Sequence, residues 1–381
     1  MQLSAALEQH IAVFGESGSG KTVLVSSFYG ATQEPQYLKK SLFNVVADDI
    51  GQGNRLHRNY LGMRDSARLP EPTRFTATSY SFSVKLKNGS DPKAVKTRPF
   101  DALRLVWHDY PGEWFEQDVS GSEAQRRIDT FRSLLSSDVA LLLVDGQRLA
   151  DNSGEEERYL KSLLANFRNG MLSLKDALLE EGKPLVEFPR IWVMALSKSD
   201  LLPELDVYKF RDLLIGKAGE DIGELRNVLA GLVEASDALS VGEDFLLLSS
   251  AKFDVGKIEV TERVGLNMVL PLAAMLPFER HARWAQRKQI PRKVAESLLR
   301  GVGPLADVLT GRKSRLPGPL GQLLKIVGPG LKVATEIAGE KLKEINAEAL
   351  AKHDYLKATL TRFQMDLDKG EEEQILLRSL R

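Results

Sequence analysis

The fold is decided by Gly15-Glu16-Ser17-Gly18-Ser19-Gly20-Lys21-Thr22, which fits the phosphate-binding pattern G-x-x-x-x-G-K-[ST]. An apolar run over 10–14 precedes this stretch and a helix-forming run over 23–28 follows it. The motif therefore has the strand–loop–helix context that it needs. Glycines let the backbone wrap a phosphate, so that the loop amides and the helix N-terminus face the anion. We expect Lys21 to reach the β- and γ-phosphates and the Thr22 hydroxyl to bind Mg²⁺.

Composition bounds the class of protein. The chain has 381 residues, of which 43% are hydrophobic and 27% charged, as in an ordinary soluble protein of about two or three domains. Lys+Arg and Asp+Glu balance at 52 each, which argues against a dedicated nucleic-acid binder. The chain has no cysteine, which excludes disulfides and thiolate metal sites and fits a reducing cytoplasm. We expect neither a secretory signal nor a membrane-spanning segment.

Apolar strand candidates alternate with helical patterns along the chain. This order predicts an α/β fold with a mostly parallel sheet, helices on both faces and one antiparallel edge hairpin. The hairpin should join the second and third candidates across the turn signal at 88–92, and the strict alternation of 79–86 predicts a strand that is half-exposed or at an edge. The strand candidates are Ile11–Phe14, Ser79–Leu86, Leu103–His108, Val139–Val144, Ile191–Leu196 and Phe245–Ser249.

Domain organisation follows from the remaining segments. We predict one domain over 1–287, with a long loop containing some helix over 47–78 and a helical insertion over 203–239. The region 288–381 should begin with a basic segment punctuated by proline and glycine and continue into C-terminal helices. Lys and Arg number eleven against two acidic residues over 281–332. Part of this segment, 283–332, could contact anionic lipid or a partner, although a solvated surface loop is the simpler interpretation.

A second motif, Asp109-x-x-Gly112, ends the third strand candidate. An aspartate at a strand end beside a phosphate loop can hold Mg²⁺, mostly through water. The Gly112 amide would meet the γ-phosphate and make this segment sensitive to hydrolysis. His108, which precedes the aspartate, is interpreted as a packing residue rather than a base.

Two further motifs suggest recognition of guanine. The fifth strand candidate runs into Ser197-Lys198-Ser199-Asp200, which is close to [NT]-K-x-D. The Asp200 carboxylate would accept two hydrogen bonds from guanine, and the Lys198 stem would pack along the base. The sixth strand candidate runs into Ser250-Ala251-Lys252, which resembles the S-A-K loop that directs a backbone amide to guanine O6.

The residues that would act on the γ-phosphate are predicted less specifically. A switch threonine that binds Mg²⁺ should precede the second strand candidate, with Thr76 favoured over Thr73 and Thr78. Glu113 could orient water, repel the γ-phosphate or cap a helix. Surface solubility explains Arg55 and Arg74 more simply than neutralisation of phosphate charge does.

The order of these motifs predicts a GTPase switch that hydrolyses GTP to GDP and phosphate, and two alternatives to it stay open. In a P-loop ATPase, Asp145 at the end of the fourth strand candidate would be the Mg²⁺ ligand, although Lys198 and Asp200 favour a GTPase. A scaffold that is stabilised by nucleotide and barely hydrolyses it is the other. Competition by ATP distinguishes the ATPase from the GTPase switch. Release of phosphate from GTP distinguishes the scaffold from the switch.

At Asp109-Tyr110-Pro111-Gly112-Glu113-Trp114 the sequence resembles the YcjX-like family of bacterial stress-associated P-loop proteins. The other motifs are shared with translation-factor-related GTPases, including the bacterial double-GTPase groups. The resemblance implies a G-domain-like P-loop fold and a cytoplasmic nucleotide switch that binds GTP and GDP. We also expect Mg²⁺ as a cofactor, and we expect the C-terminal region or an unidentified protein partner to respond to hydrolysis. Gly20, Lys21 and Thr22 would bind phosphate and Mg²⁺, and Asp109 and Gly112 would make the contacts of the second switch segment.

Overall fold

An eight-stranded sheet organises the chain. The computed structural model describes residues 7–70, 78–87, 102–109, 122–254, 256–285, 287, 289–298, 339–352 and 355–379. The strands are β1 (Leu7–Phe14), β2 (Phe43–Ala47), β3 (Thr78–Leu86), β4 (Ala102–Asp109), β5 (Val139–Asp145), β6 (Ile191–Ser197), β7 (Ser240–Leu247) and β10 (Leu376–Leu377), with a separate hairpin of β8 (Lys252–Asp254) and β9 (Lys257–Glu259). The order of the strands in the main sheet is β10-β7-β6-β5-β1-β4-β3-β2.

The helices cover both faces of the sheet, because β5 and β6 are apolar and buried along their whole length. The helices are α1 (Lys21–Thr32), α2 (Pro35–Lys40), α3 (Ile50–Ser66), α4 (Ser122–Leu134), α5 (Gly146–Asp151), α6 (Glu156–Leu178), α7 (Val207–Ala230), α8 (Val269–Ala285), α9 (Gly339–Ala351) and α10 (Tyr355–Glu372). One apolar core joins the sheet to α1, α3, α8 and α10, and a second core joins the other face of the sheet to α4, α6 and α7.

The strand directions match the prediction of a mostly parallel sheet. The five strands β4, β1, β5, β6 and β7 are parallel, while β3 pairs antiparallel with β4 over Thr78–Lys85, which confirms the predicted antiparallel pairing. The predicted turn at 88–92 lies outside the described residues. The side chains of β3 alternate between buried and partly exposed. The strand nevertheless lies inside the sheet, because β2, which the sequence did not predict, pairs antiparallel with it and forms the edge.

Helix α3 lies within 47–78, the segment that the sequence predicts to be a long loop with some helix. The Asp49 side chain accepts a hydrogen bond from the Gln52 amide and begins the 17-residue helix. The helix packs closely on α1, because a Cβ added to Gly30 would lie 2.1 Å from the Tyr60 ring. Residues 71–77 lie outside the described part of the chain.

The C-terminal residues pack against the sheet. Helix α10 packs against α8, and β10 pairs antiparallel with β7. Arg378 donates hydrogen bonds to Glu279, Asp368 and Glu371, so the segment after β10 is held by three carboxylates. The division at residue 287 stays a prediction. Within the described residues, no helix is both long and apolar enough to cross a lipid bilayer.

Candidate functional site

The sequence motifs of the described part meet at one edge of the sheet, where the parallel strands end. In the strand register, Val13 of β1 is opposite Asp109 of β4, and Asp145 of β5 is opposite Ser197 of β6. The loop over 15–20 leaves β1 between β4 and β5. The carboxyl edge of a parallel sheet is the usual position of ligand sites in α/β folds.

The phosphate-binding loop owes its shape to glycines. Gly18 and Gly20 have φ values of 81° and 90°, in the left-handed region that other residues rarely adopt. Gly15 has a different role, since a Cβ there would lie 2.6 Å from Ser19 Oγ and 3.0 Å from Leu143 Cβ. The loop therefore packs directly on β5 and turns into α1 at Gly20, its N-cap residue.

Lys21 is the buried cation of this loop. Only 7% of its surface is exposed, and Nζ donates to the carbonyl oxygens of Gly15, at 2.7 Å, and Glu16, at 3.0 Å. Thr22 follows in the first turn of α1 and is half-buried. Ser17 is half-buried, whereas Ser19 is buried and its Oγ has no hydrogen-bond partner among the described residues. An ammonium group, a hydroxyl and a helix N-terminus are thus grouped where the sequence predicts phosphate binding.

Asp109 ends β4 on the other side of the loop. Its side chain is buried, and Thr78, the described candidate among the three threonines, is its antiparallel partner on β3. The pKa of the nearby Tyr80 hydroxyl is raised, mainly by burial. The charge of Arg55 opposes this shift, and the charge of Asp109 adds to it. Arg55 Nη2 donates to that hydroxyl at 3.2 Å, so α3 brings Arg55 to this part of the sheet.

His108 lies beside Asp109 on the opposite face of the strand. Its Nδ1 is 2.9 Å from Ser79 Oγ, and its Nε2 is 3.1 Å from Nδ1 of His10. The pKa of His108 is lowered to about 4, mainly by burial and also by the charge of His10. The imidazole is therefore neutral at pH 7 and packed between strands.

The candidate base loops are joined by side-chain contacts. Lys198, at φ 52°, lies just after β6, and its Nζ donates to Asp145 Oδ2 at 2.9 Å. Asp200 Oδ1 accepts from the Ser249 hydroxyl at 2.7 Å, and the Ser199 amide donates to the Leu248 carbonyl at 3.1 Å. These bonds bring the loop after β6 and the loop after β7 together.

The other predicted base residues have structural contacts as well. Ser197 is buried, and its hydroxyl donates to the Val144 carbonyl at 3.3 Å. Ser250 is buried, and Ala251 packs into a small apolar cluster with Tyr60 of α3. Lys252 is exposed at the start of β8. The main chain at Ala251 is therefore fixed by packing of its side chain.

Two contacts of the site were not predicted from the sequence. Arg148 of α5 donates from Nη1 to Glu16 Oε2 at 2.8 Å and from Nη2 to the Ser17 carbonyl at 3.3 Å. Ser249 was also missed as the partner of Asp200. No local pattern points to either contact, because Arg148 lies 132 residues from Glu16 in the sequence.

The donor set suits a magnesium–nucleotide complex. The Thr22 hydroxyl and the Asp109 carboxylate are oxygen donors of the type that Mg²⁺ takes from proteins while phosphates supply others. The described residues contain no group of three or more His, Asp or Glu side chains that could hold a metal by themselves. Five predicted site residues lie outside the described part of the chain and stay predictions, namely Thr73, Arg74, Thr76, Gly112 and Glu113.

Comparison with known proteins gives a family match. The family described as Double-GTPase 2 matches residues 9–219. That range contains the phosphate-binding loop, Asp109 and Lys198–Asp200, and it ends before Ser250. No curated protein matches the chain.

Several solved GTPase structures are similar to this chain at low identity. The signal recognition particle receptor complex SRb-GTP/SRX of Chaetomium thermophilum is 17% identical over 65% of this chain and 93% of its own, with a TM-score of 0.35. A putative nucleolar GTP-binding protein 1 of Plasmodium falciparum is 12% identical over 72% and 89%, with a TM-score of 0.31. A variant of Aquifex aeolicus Era bound to GDP·AlF4⁻ is 11% identical over 86% and 89%, with a TM-score of 0.23.

Proposed function

Because this chain belongs to the Double-GTPase 2 family, we propose that it binds GTP and GDP at the carboxyl edge of its sheet and hydrolyses GTP to GDP and phosphate. The observation that carries this proposal is the meeting of three motifs at one edge. The loop over 15–22, Asp109 and the Lys198–Asp200 loop follow strands that are neighbours or next neighbours in the sheet. The phosphates and the base of one nucleotide would bind along this edge.

Phosphate binding would rest on the loop amides, the N-terminus of α1 and Lys21. The Lys21 ammonium already lies over the Gly15 and Glu16 carbonyls, so it needs little rearrangement to meet the β- and γ-phosphates. Thr22 and Asp109 would hold Mg²⁺, the latter mostly through water, and the ion would neutralise charge on the phosphates when bound. Positioning and neutralisation of charge account for most of catalysis in this reaction class.

Base recognition would rest on Asp200. Its carboxylate can accept hydrogen bonds from N1–H and the exocyclic amine of guanine, whereas adenine offers no such pair of donors. Ser249 holds Oδ1 of Asp200 at 2.7 Å and so orients the carboxylate. Lys198 would pack its stem along the base while its ammonium binds Asp145.

The geometry around Asp145 argues against the ATPase alternative. Its Oδ1 accepts from the Gln147 amide at 3.0 Å and begins α5, and its Oδ2 accepts from Lys198 at 2.9 Å. Both carboxylate oxygens are thus engaged by protein groups. The interpretation that this aspartate supports the base loop explains these bonds, and a role as Mg²⁺ ligand does not.

We further propose that hydrolysis acts as a switch. Loss of the γ-phosphate would release the segments around Thr76, favoured over Thr73 and Thr78, and around Gly112, with Glu113 as a candidate for orienting water. The C-terminal region or an unidentified protein partner would respond to this change. The cytoplasmic location, the stress-related role and the contact of 283–332 with anionic lipid also stay proposals, and flotation with anionic vesicles tests the last of them.

Single-turnover release of phosphate from GTP tests the enzymatic part of the proposal. We expect phosphate release above the background of the Lys21→Ala variant, which lacks the cation of the loop. A release rate equal to that background, in a protein that still binds GTP, would support the scaffold alternative and contradict the proposed hydrolysis.

A further inference from the structure

The short helix α5 contacts both ends of the candidate nucleotide site. At the phosphate end, Arg148 bonds the Glu16 carboxylate at 2.8 Å and the Ser17 carbonyl at 3.3 Å. At the base end, Asp145, which caps this helix, accepts a hydrogen bond from Lys198. One structural element therefore connects the loop that would hold phosphate with the loop that would hold the base.

The position of α5 is fixed by close backbone packing. A Cβ added to Gly146 would lie 2.5 Å from the Ser197 carbonyl oxygen and 2.8 Å from that of Lys198. The other end of the helix is held by Asn152, whose side-chain amide donates to the Arg148 carbonyl at 2.7 Å. Because the helix can shift little, Arg148 extends from a fixed point to the phosphate-binding loop.

Glu16 creates an electrostatic problem in a loop that is to bind phosphate. Its carboxylate is only 11% exposed and belongs to the same loop as Lys21, so an uncompensated negative charge there would repel a bound anion. The Arg148 guanidinium, 42% exposed, lies 2.8 Å from this carboxylate and neutralises it. Its second bond goes to a main-chain carbonyl of the loop, whose conformation depends on Gly18 and Gly20.

We propose that Arg148 is a positioning residue of the nucleotide site, which neutralises Glu16 and holds the phosphate-binding loop in its binding conformation. This inference rests on the proposed binding of guanine nucleotides. It assigns to Arg148 an effect on how long the nucleotide stays bound. A pre-formed and neutralised loop releases a bound nucleotide more slowly than a mobile loop with an uncompensated negative charge. It also explains why an arginine, which can bond two acceptors at once, stands at this position.

Release of the fluorescent nucleotide mant-GDP, measured by stopped flow, tests the inference. We expect Arg148→Ala to release mant-GDP about fivefold faster than the wild-type protein, the size of effect of a partly exposed ion pair. The decisive variant combines Arg148→Ala with Glu16→Gln. Since removal of the Glu16 charge removes the repulsion, this double variant should recover most of the lost residence time.

Matched variants separate this effect from a general loss of stability. Arg211→Ala removes an arginine of similar exposure that pairs with Asp212 on the surface of α7, and it should release mant-GDP like the wild type. Arg148→Lys keeps the charge but not both bonds, so its release rate should lie between those of the wild type and Arg148→Ala. Thermal denaturation of the nucleotide-free variants checks that each is folded.

Three outcomes would overturn the inference. If Arg148→Ala releases mant-GDP at the wild-type rate, Arg148 does not support the loop. If Glu16→Gln fails to slow the release from Arg148→Ala, neutralisation of Glu16 is not its role. If the wild-type protein does not bind mant-GDP, the proposed function fails as well, which distinguishes that failure from the other two.

Discussion

The phosphate end and the base end of the candidate site are held by different kinds of atoms. Main-chain conformation shapes the phosphate end, where Gly18 and Gly20 adopt positive φ and Lys21 donates to two carbonyls. Side-chain bonds hold the base end, where Lys198 donates to Asp145 and Ser249 to Asp200. We therefore expect affinity to depend on backbone shape and on Lys21, with support from Arg148, and selectivity to depend on the Asp200 carboxylate.

The largest expected effect is at the phosphate end. Lys21→Ala removes the buried ammonium and should weaken GTP and GDP binding by about a hundredfold or more, because charge-assisted hydrogen bonds to phosphate are lost. Equilibrium titration with mant-GDP measures the affinity. Lys209→Ala, which alters an exposed lysine on α7, serves as the control. Wild-type affinity in Lys21→Ala would mean that the loop does not bind phosphate.

A change of base preference would sharpen the comparison at the other end. Asp200→Asn replaces an acceptor by a group that can donate to the 2-keto oxygen of xanthine, so binding should shift from GTP to XTP by about a hundredfold. Competition against mant-labelled nucleotides measures the shift. Asp212→Asn, at an exposed carboxylate on α7, should leave the preference unchanged. Equal loss of all nucleotides in Asp200→Asn would contradict a base-specific role.

The two aspartates on either side of β1 offer a direct contrast. Asp109→Asn should lower single-turnover GTP hydrolysis by about tenfold or more, since it removes a proposed link to Mg²⁺. Asp145→Asn should lower the affinity for GTP by only about fivefold, because Lys198 loses an ion-pair partner but the phosphate end is intact. The reverse ranking, with Asp145 the more important for hydrolysis, would favour the ATPase alternative.

Helix α8 packs against β1 and β5 of the sheet that carries the site, and it contains a buried histidine whose titration affects stability. His281 is buried, and its pKa is lowered to about 3, first by burial and then by the charges of Arg190 and Arg280. The unfolded chain binds a proton at this residue near pH 6.5, whereas the folded protein does not until about pH 3. The contribution of His281 to the free energy of unfolding should therefore be greatest above pH 6.5 and fall on acidification towards pH 3, by about 1.4 kcal/mol per pH unit.

Urea denaturation at pH 7 and pH 5 measures this pH dependence. In His281→Asn the loss of stability between the two values should be smaller than in the wild type, because the titrating group is gone. The variant could lower stability at both pH values by disturbing the stacking on Trp284, at a centroid distance of 5.9 Å, without affecting this difference. An unchanged difference would show that His281 does not cause the loss.

Much of the phosphate end could be predicted from the sequence, because it depends on residues that are neighbours in the chain. A glycine-rich loop of this spacing between a buried strand and a helix is typical of phosphate binding. Six of the eight strands of the sheet could be predicted from apolar or alternating runs. The missed strands have simple reasons. Leu376–Leu377 has two residues, too few for a periodic pattern, and Asn44 interrupts the apolar run of the edge strand Phe43–Ala47.

The long-range contacts of the site and helix α3 show what local patterns cannot supply. The bonds of Arg148 to Glu16 and of Lys198 to Asp145 join residues that are brought together only by the order of strands in the sheet. Glycines at 51, 53 and 62 lower the helix propensity of Ile50–Ser66, although its buried residues at 53, 56, 60 and 63 have helical spacing. Gly53 is needed there for packing, since a Cβ would lie 2.7 Å from that of Ala47.

The preference between GTP and ATP tests the central claim most directly. In a competition assay, mant-GDP bound to the wild-type protein is challenged with unlabelled GTP, GDP or ATP at equal concentrations. We expect GTP and GDP to displace the probe and ATP to leave it bound. Displacement by ATP as effective as that by GTP would contradict recognition of guanine by Asp200.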